Sequence, residues 1–439
     1  MKADDILDLL EKAGYKSYKV GGCVRDKLLD RENYDVDMTT SARPAQIKEV
    51  FKDFKTIDIG EKFGTIKVLN EGQEYEITTM RKESGYSDKR HPEKIAFTKD
   101  IYQDLKRRDF TINAMAERNG VIVDPYNGKT DLDKKIIRAV GDPNERIKED
   151  MLRSLRAVRF AVTLGFDIEE NLISAIRENK DSIKDISKER IQVEVNKIIL
   201  SDNPKRGIKL LDQVGLLAYI FPEIHRAKGF DQHSTYHAED VYDHTLSVLE
   251  KTPPILEVRM AALYHDVGKV DTFFLDEDGE GRFFGHQQVS ADYLKDRLKY
   301  LKYPNKFIED TSLLVARHMD NTNAYTKKSI RKLLRRLGED NVIKLFYLQE
   351  ADVKSTKYND ISNITLGRKL LEEVKDDGIP KGRNEIKIDG NDLKKLGFKE
   401  GKKLGQTLNI IENLIYDEKL ENDKAKIIDY ITRELKNVE

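Results

Sequence analysis

The chain has 439 residues, enough for roughly two to four domains of about 100 to 200 residues each, so more than one activity can be housed. Its 78 lysines and arginines against 79 aspartates and glutamates leave a formal net charge of −1, which excludes a uniformly basic nucleic-acid binder; a polyanionic partner must meet a local basic patch. No apolar stretch approaches the ~20 residues of a membrane span, and the amphipathic start is not signal-like, so a cytoplasmic protein with no membrane partner is expected.

Taken in chain order, residues 4–13 carry apolar groups at helical spacing, and YKVGGCV then turns from a β-like run into a double glycine, which predicts strand, turn and helix. YDVDMTT, GTIKVLN and EYEITTM alternate with period two and are rich in β-branched residues, the pattern of a small sheet. Residues 81–100, with Gly85 and Pro92, read as a polar mobile loop. RRDFTINAMA reads as a buried helix with Phe110, Ile112 and Met115 inward. From about residue 145 the character changes to long amphipathic helices, beginning ERIKEDMLRSLRAVRFAVTLG with a stop signal at Gly165. The expected fold class is α+β: a small mixed sheet, then a mostly helical remainder.

Two constellations carry chemistry. Asp35 and Asp37, two apart on a strand, leave the same face and can hold a hard dication, with Glu76 chosen over Glu74 as a third carboxylate by position. Gly21 and Gly22 precede them between strand and helix, where bare backbone N–H groups can approach a triphosphate, and Arg25 follows. In EDMLR, Asp150 and Arg153 stand three apart, so on one helix face an acceptor and a planar donor fork lie side by side. Arg153, Arg156 and Arg159 form an arginine row at helical spacing. The second constellation is histidine-rich: seven of eight histidines follow residue 220, and the single Cys23 leaves metal binding to histidines and carboxylates. His265 and Asp266 are adjacent at the end of an apolar helix, with His244 before them and His286, His318 and Asp352 after. His233 and His237 read as loop residues.

The segments KVGGCVRDKLLDRENYDVDMTT, LKRRDFTINAMA, VDPYNGKTDLDKKIIRAVGDP, ERIKEDMLRSLRAVRFA and SKERIQVEVNKIIL resemble, in order, the motifs of class II CCA-adding tRNA nucleotidyltransferases and bacterial poly(A) polymerases. The resemblance implies a polymerase-β-like catalytic head over 1–140, a helical neck that recognises the base over 141–205, a helical body over 206–370 and a helical tail that binds tRNA over 371–439. It implies Mg²⁺ on Asp35 and Asp37, triphosphate at Gly21, Gly22 and Arg25, sugar and phosphate contacts from Arg108, Asp109 and Asn113, and a nucleotide site completed by Arg156 and Arg159. Asp124, Gly128 and Asp131 would form the bend between head and neck, and Asp150 with Arg153 would select CTP and ATP. The implied activity is template-independent addition of CCA to tRNA 3′ ends with release of pyrophosphate. Enzymes of the family that add only CC lack the 81–100 loop, so its presence favours full CCA addition; poly(A) polymerase and an A-adding partner enzyme are the alternatives.

The order His244, His265–Asp266, Asp352 resembles the HD phosphohydrolase superfamily, with His286 and His318 as ligands of a second metal; the resemblance implies hydrolysis of phosphorylated or cyclic-phosphate RNA ends. For RNA backbone, Lys327, Lys328, Arg331 and Lys332, continued by Arg335 and Arg336, form the densest basic stretch, and Lys394, Lys395, Lys402 and Lys403 lie among four glycines near the C-terminus. No obligate protein partner is expected.

Overall fold

Period-two alternation is realised as a seven-stranded mixed sheet. Its strands are β1 (Ser17–Val20), β2 (Asp37–Thr40), β3 (Lys55–Gly60), β4 (Thr65–Asn70), β5 (Gln73–Thr79), β8 (Ala116–Arg118) and β9 (Val121–Val123), in the order β3-β4-β5-β2-β1-β8-β9. Only β2 and β5 run parallel. The computed structural model describes residues 2–32, 36–60, 64–70, 72–85, 94–233, 239–321, 323–375, 385–416 and 419–435. Asp35 and His237 lie outside the described residues, as does 86–93. Two compact units are present, residues 1–222 and 223–439.

In the first unit, α1 (Ala3–Lys12) and α3 (Pro44–Val50) cover one face of the sheet. Ile6, Leu7 and Leu10 from α1 and Ile47 from α3, with the adjoining Phe51, close over Met38, Ile66, Val68, Tyr75 and Ile77. Truncating a fully buried ring such as Phe51 to alanine costs about 3–5 kcal/mol. The alternation that turns Met38 and Ile77 inward turns Asp37 and Glu76 to the opposite face, where α2 (Gly22–Leu28) begins. The 81–100 segment departs from the expected loop: its flanks pair as an antiparallel ribbon, β6 (Arg81–Ser84) with β7 (Lys94–Phe97).

RRDFTINAMA also departs from expectation. After α4 (Ile101–Lys106), only Thr111–Asn113 is helical, a single 3₁₀ turn that leads into β8. Phe110, Ile112 and Met115 are nevertheless buried, so the apolar spacing is used by an irregular turn. The bend that follows is set by short hydrogen bonds. Asp124 caps α5 (Gly128–Asp133) through the N–H groups of Gly128 and Lys129 at 2.7 and 2.9 Å, and buried Asp131 accepts from the Thr111 hydroxyl at 2.7 Å. At Gly128 a Cβ would lie 2.3 Å from the Thr111 carbonyl oxygen, so close approach of two backbones dictates the glycine.

Strands β10 (Ile136–Ile137) and β11 (Asp167–Ile168) pair beside α6 (Pro143–Glu149), α7 (Leu152–Leu164), α8 (Glu170–Asn179), α9 (Lys188–Ile199) and α10 (Pro204–Gln213). The long helix expected from ERIKEDMLRSL is interrupted: Asp150 is extended, with φ −152° and ψ 103°, between α6 and α7. The short helix α11 (Leu217–Ile220) ends this unit, and α12 (Pro222–Arg226) starts at its last residue.

The second unit is almost wholly helical: α13 (Val241–Lys251), α14 (Leu256–Tyr264), α15 (Lys269–Thr272), the ribbon β12 (Phe274–Leu275) with β13 (Gly281–Arg282), α16 (His286–Tyr300), α17 (Asn305–Arg317), α18 (Lys327–Val353) and α19 (Ser362–Lys375). Then come α20 (Gly390–Lys395), α21 (Lys402–Tyr416) and α22 (Lys424–Tyr430), which share a core of Ile388, Leu393, Ile411, Ile415, Ile427 and Ile431. No helix among the described residues is long and apolar enough to cross a membrane.

Candidate nucleotide cavity and metal centre

A cavity of about 610 Å³ opens in the first unit beside Gly21, Gly22 and Asp37. The parallel register sets Asp37 opposite Glu76 on the neighbouring strand, so two carboxylates stand side by side on one face. This all-oxygen donor set suits a hard dication such as Mg²⁺. Gly21, at φ +74°, turns the chain from β1 into α2, and a Cβ there would come within 2.8 Å of Arg108 Nη1. The left-handed conformation therefore favours glycine, and a side chain there would also have to displace the Arg108 guanidinium.

Seven arginines line the cavity against three aspartates, giving the excess of positive charge that a polyphosphate needs. Arg25 Nη1 donates to Asn113 Oδ1 at 2.8 Å, while its other edge is paired with Asp26. Asp109 is nearly fully buried and accepts from Arg156 Nε at 2.8 Å, Asn113 Nδ2 at 3.2 Å and the Phe110 N–H at 2.8 Å. Burial alone would raise its pKa; the Arg156 guanidinium and these hydrogen bonds outweigh that and bring it down to about 2. The guanidiniums of Arg159, Arg25 and Arg156 stand 3.9, 5.1 and 5.4 Å from the centre of the Phe160 ring, which shares three cations. Arg159 is held by buried Glu194 at 2.7 Å.

The Asp150–Arg153 pair needs correction. The two residues do not share a helix face, because Asp150 lies in the break before α7. Both still line the cavity. Asp150 accepts from the Leu152 N–H at 3.0 Å and from Arg190 Nη2 at 2.7 Å, while Arg153 Nη1 donates to the Arg146 carbonyl at 2.8 Å and pairs with Glu149. Arg190 was not evident in sequence reading, since it is 40 residues from Asp150 and belongs to another helix. Arg107 escaped for a different reason: it precedes Arg108 in the same motif, yet contributes to the cavity wall itself.

The second unit gathers all six residues of the histidine-rich constellation. His244, His265 and Asp266 bring ligand atoms within 4.8 Å of one another, and so do Asp266, His286 and His318. Asp266 is shared: Oδ2 faces His265 Nε2 at 3.3 Å and His244 Nε2 at 3.6 Å, while Oδ1 faces His286 Nε2 at 3.2 Å and His318 Nε2 at 3.7 Å. Asp352 Oδ1 closes one side, 3.2 Å from His244 Nε2. Backbone carbonyls fix three of the rings by accepting at Nδ1, Ala262 for His265 at 2.8 Å, Phe283 for His286 at 2.9 Å and Val315 for His318 at 2.7 Å. That leaves Nε2 as the inward lone pair, the arrangement seen for ligating histidines. Among the described residues His265 Nε2 is buried without a hydrogen-bond partner, as a ligand position would be. The donor set of imidazoles and carboxylates fits a divalent transition ion.

The basic residues divide. Lys328 and Lys332 are exposed on α18, and Lys327 is exposed but paired with Glu373 at 3.1 Å. Arg331 is buried beneath them, its Nη1 directed at the Tyr416 carbonyl at 3.5 Å, so it is removed from the solvent-facing row. Lys395, Lys402 and Lys403 are exposed around a second cavity of about 620 Å³ bounded by Leu396–Lys403 and Leu435, of which Lys402 and Lys403 are lining residues; Lys394 pairs with Glu400.

The sheet, the glycine turn beside Asp37 and the arginine-rich cavity define a polymerase-β-like nucleotidyltransferase head carried on a helical remainder. Residues 17–138 match the family described as "Poly A polymerase head domain", 165–228 match "Probable RNA and SrmB- binding site of polymerase A", and 283–431 match domain 2 of tRNA nucleotidyltransferase. The chain is 34% identical over 432 residues to the CCA-adding enzyme of Streptococcus thermophilus, covering 98% of this chain and 96% of that one. It is 36% identical over 447 residues to the CCA-adding enzyme of Lactobacillus helveticus, with the same coverage. Among solved structures, the Bacillus stearothermophilus CCA-adding enzyme in complex with CTP is similar with a TM-score of 0.76 and 27% identity, covering 98% of both chains. The chain belongs to the family of CCA-adding enzymes.

Titration of the Asp109 carboxyl, followed by ¹³C NMR, is expected to have its midpoint at about 2. A folded-state pKa below the unfolded value of 3.8 means that the stabilisation is fully present above pH 3.8 and is lost as the pH falls through about 2. In Arg156→Met the midpoint should move up, because burial then acts without its main opponent; an unmoved midpoint would contradict the assignment.

Proposed function

We propose that the protein adds CCA to the 3′ ends of tRNA from CTP and ATP, releasing pyrophosphate. One observation carries this reading: a single cavity brings together Asp37, the Gly21–Gly22 turn, the Arg108–Asp109–Asn113 cluster and Asp150 with Arg153, segments that are far apart in sequence. The RNA 3′-hydroxyl attacks the α-phosphate of the nucleotide; a new P–O bond forms, the bond to pyrophosphate breaks, and the hydroxyl proton passes to solvent. Asp37 and Glu76, with Asp35, would hold Mg²⁺, which when bound supplies charge neutralisation at the reacting phosphate. Arg25, Arg108, Arg156 and Arg159 bind the triphosphate, and Asp109 and Glu194 hold two of them in place.

Base choice rests on Asp150 and Arg153. The carboxylate accepts from the exocyclic amine of cytosine or adenine, and the guanidinium donates to a ring nitrogen or to the cytosine carbonyl. Guanine and uracil present a carbonyl where the amine is required, which sets acceptor against acceptor. The body and the tail, including exposed Lys328, Lys332, Lys395, Lys402 and Lys403, grip the tRNA through its backbone shape. The parts follow the divisions 1–140, 141–205, 206–370 and 371–439. Asp37→Ala is expected to abolish nucleotide incorporation while leaving the melting temperature near that of the wild type; retained incorporation would overturn the head assignment.

A second reading is favoured by the convergence of four imidazole Nε2 atoms on Asp266. We infer that His244, His265, Asp266, His286, His318 and Asp352 form a dinuclear HD-type centre that hydrolyses phosphorylated or 2′,3′-cyclic-phosphate RNA ends. A bound divalent ion supplies a water of lowered pKa as nucleophile. The residues themselves fix ligand direction through the three Nδ1–carbonyl bonds, and Lys269 pairs with the shared carboxylate, 2.7 Å from Asp266 Oδ2. His265→Ala should lose phosphoester hydrolysis tested with Mn²⁺, Ni²⁺ or Mg²⁺ and retain CCA addition. Absence of hydrolysis by the wild type with all three ions would contradict this reading.

A further inference from the structure

No sequence motif singles out Asp104, but its surroundings do. The side chain on α4 is fully buried. Oδ1 accepts from the Arg81 backbone N–H at 3.2 Å and from Arg107 Nε and Nη2 at 3.1 and 2.9 Å, while Oδ2 faces Arg108 Nη2 at 3.4 Å. Burial opposes ionisation here, yet the two guanidiniums outweigh it and hold the carboxyl below the usual range. One buried carboxylate therefore pairs with two consecutive arginines and leaves them with a net positive charge.

Those arginines lead to different parts of the nucleotide cavity. Arg108 Nη1 occupies the space over Gly21 that any larger residue would fill, and Arg108 Nε is buried with no hydrogen-bond partner among the described residues. A buried donor without an acceptor is costly, and the residue as a whole lines the cavity where the triphosphate would lie. The Arg107 carbonyl accepts from Arg153 Nη2 at 3.3 Å, and the Arg107 guanidinium reaches Glu83 Oε1 on β6 at 3.5 Å. Arg81 and Glu83 are themselves paired at 2.7 Å, so the start of the β6–β7 ribbon is pinned at the same point. Asp104 does not line the cavity; Arg107, Arg108 and Arg153 do.

We propose that Asp104 is a positioning residue for nucleotide binding, which sets Arg108 toward the triphosphate and, through Arg107, steadies the base-facing Arg153 while tying both to the β6 strand. The proposal rests on the reading of this cavity as the CTP and ATP site. The competing role is a plain structural pin between β6 and α4, which would alter stability and not nucleotide affinity.

The test measures CTP binding to the full-length protein by equilibrium dialysis, together with the melting temperature, for wild type, Asp104→Asn, Arg108→Ala and the double variant. Asp104→Asn is expected to weaken CTP binding by about tenfold, the scale of one charge-assisted hydrogen bond, and to raise KM for CTP with little change in kcat. Because Asp104 acts through Arg108, its substitution should cost much less in the Arg108→Ala background. Wild-type affinity in Asp104→Asn, or an equal loss in both backgrounds, would overturn the proposal while leaving the cavity reading intact. Unchanged CTP binding in Arg108→Ala would instead overturn the cavity reading and the proposal with it. If Asp104→Asn fails to fold, Asp104→Glu keeps the charge but displaces both guanidiniums; it should weaken CTP binding, and wild-type affinity would again overturn the proposal.

Discussion

The parallel register between β2 and β5 is the constraint on which the first unit depends. Pairing Asp37 with Glu76 and Met38 with Ile77 commits one face of the sheet to the core under α1 and α3 and the other to a carboxylate edge. A slip of β2 by one residue would turn Asp37 toward the core and Met38 away from it. The antiparallel pairing of β1 with β2, which sets Lys19 opposite Met38, puts Asp37 beside the Gly21 turn. Core packing and the placement of the two carboxylates are thus one decision made by the strand register.

Around that edge, charge is organised by buried acids. Asp104, Asp109 and Glu194 are each largely withdrawn from solvent and each fixes one or two arginines. A carboxylate that holds a guanidinium in place spares the ligand the entropy of ordering it, and in a low-dielectric wall the remaining N–H groups interact strongly with phosphate. The wall is therefore preorganised for an anion before one arrives, which agrees with the seven arginines that line it.

Much of this was legible in the sequence, and the failures have physical reasons. Local patterns served well: alternation located the strands and the double glycine marked the turn, while the resemblance of the order His244, His265–Asp266, Asp352 to a known superfamily, with His286 and His318, named a cluster that the fold gathers. What sequence could not supply was long-range pairing. The 3.6-residue pattern runs straight through EDMLR, yet Asp150 breaks the helix, its carboxylate engaged by the Leu152 N–H on one side and by Arg190 from α9 on the other. Arg331 sits in a row of lysines and arginines that reads as one solvated face, but the row is wider than the exposed arc of the helix, and Arg331 falls on the buried side toward Tyr416. RRDFTINAMA buries its apolar residues as a helix would, with backbone hydrogen bonds supplied by the Arg138 carbonyl and by strand pairing in place of helical ones.

The central claim is that one cavity, with a fixed acceptor and a fixed donor for the base, builds a defined trinucleotide without a template. A tRNA transcript lacking CCA, incubated with Mg²⁺ and CTP, ATP or both and resolved at single-nucleotide length, tests it most directly. The account predicts two additions with CTP alone and a third only when ATP is also present; a long ladder with ATP alone would contradict it.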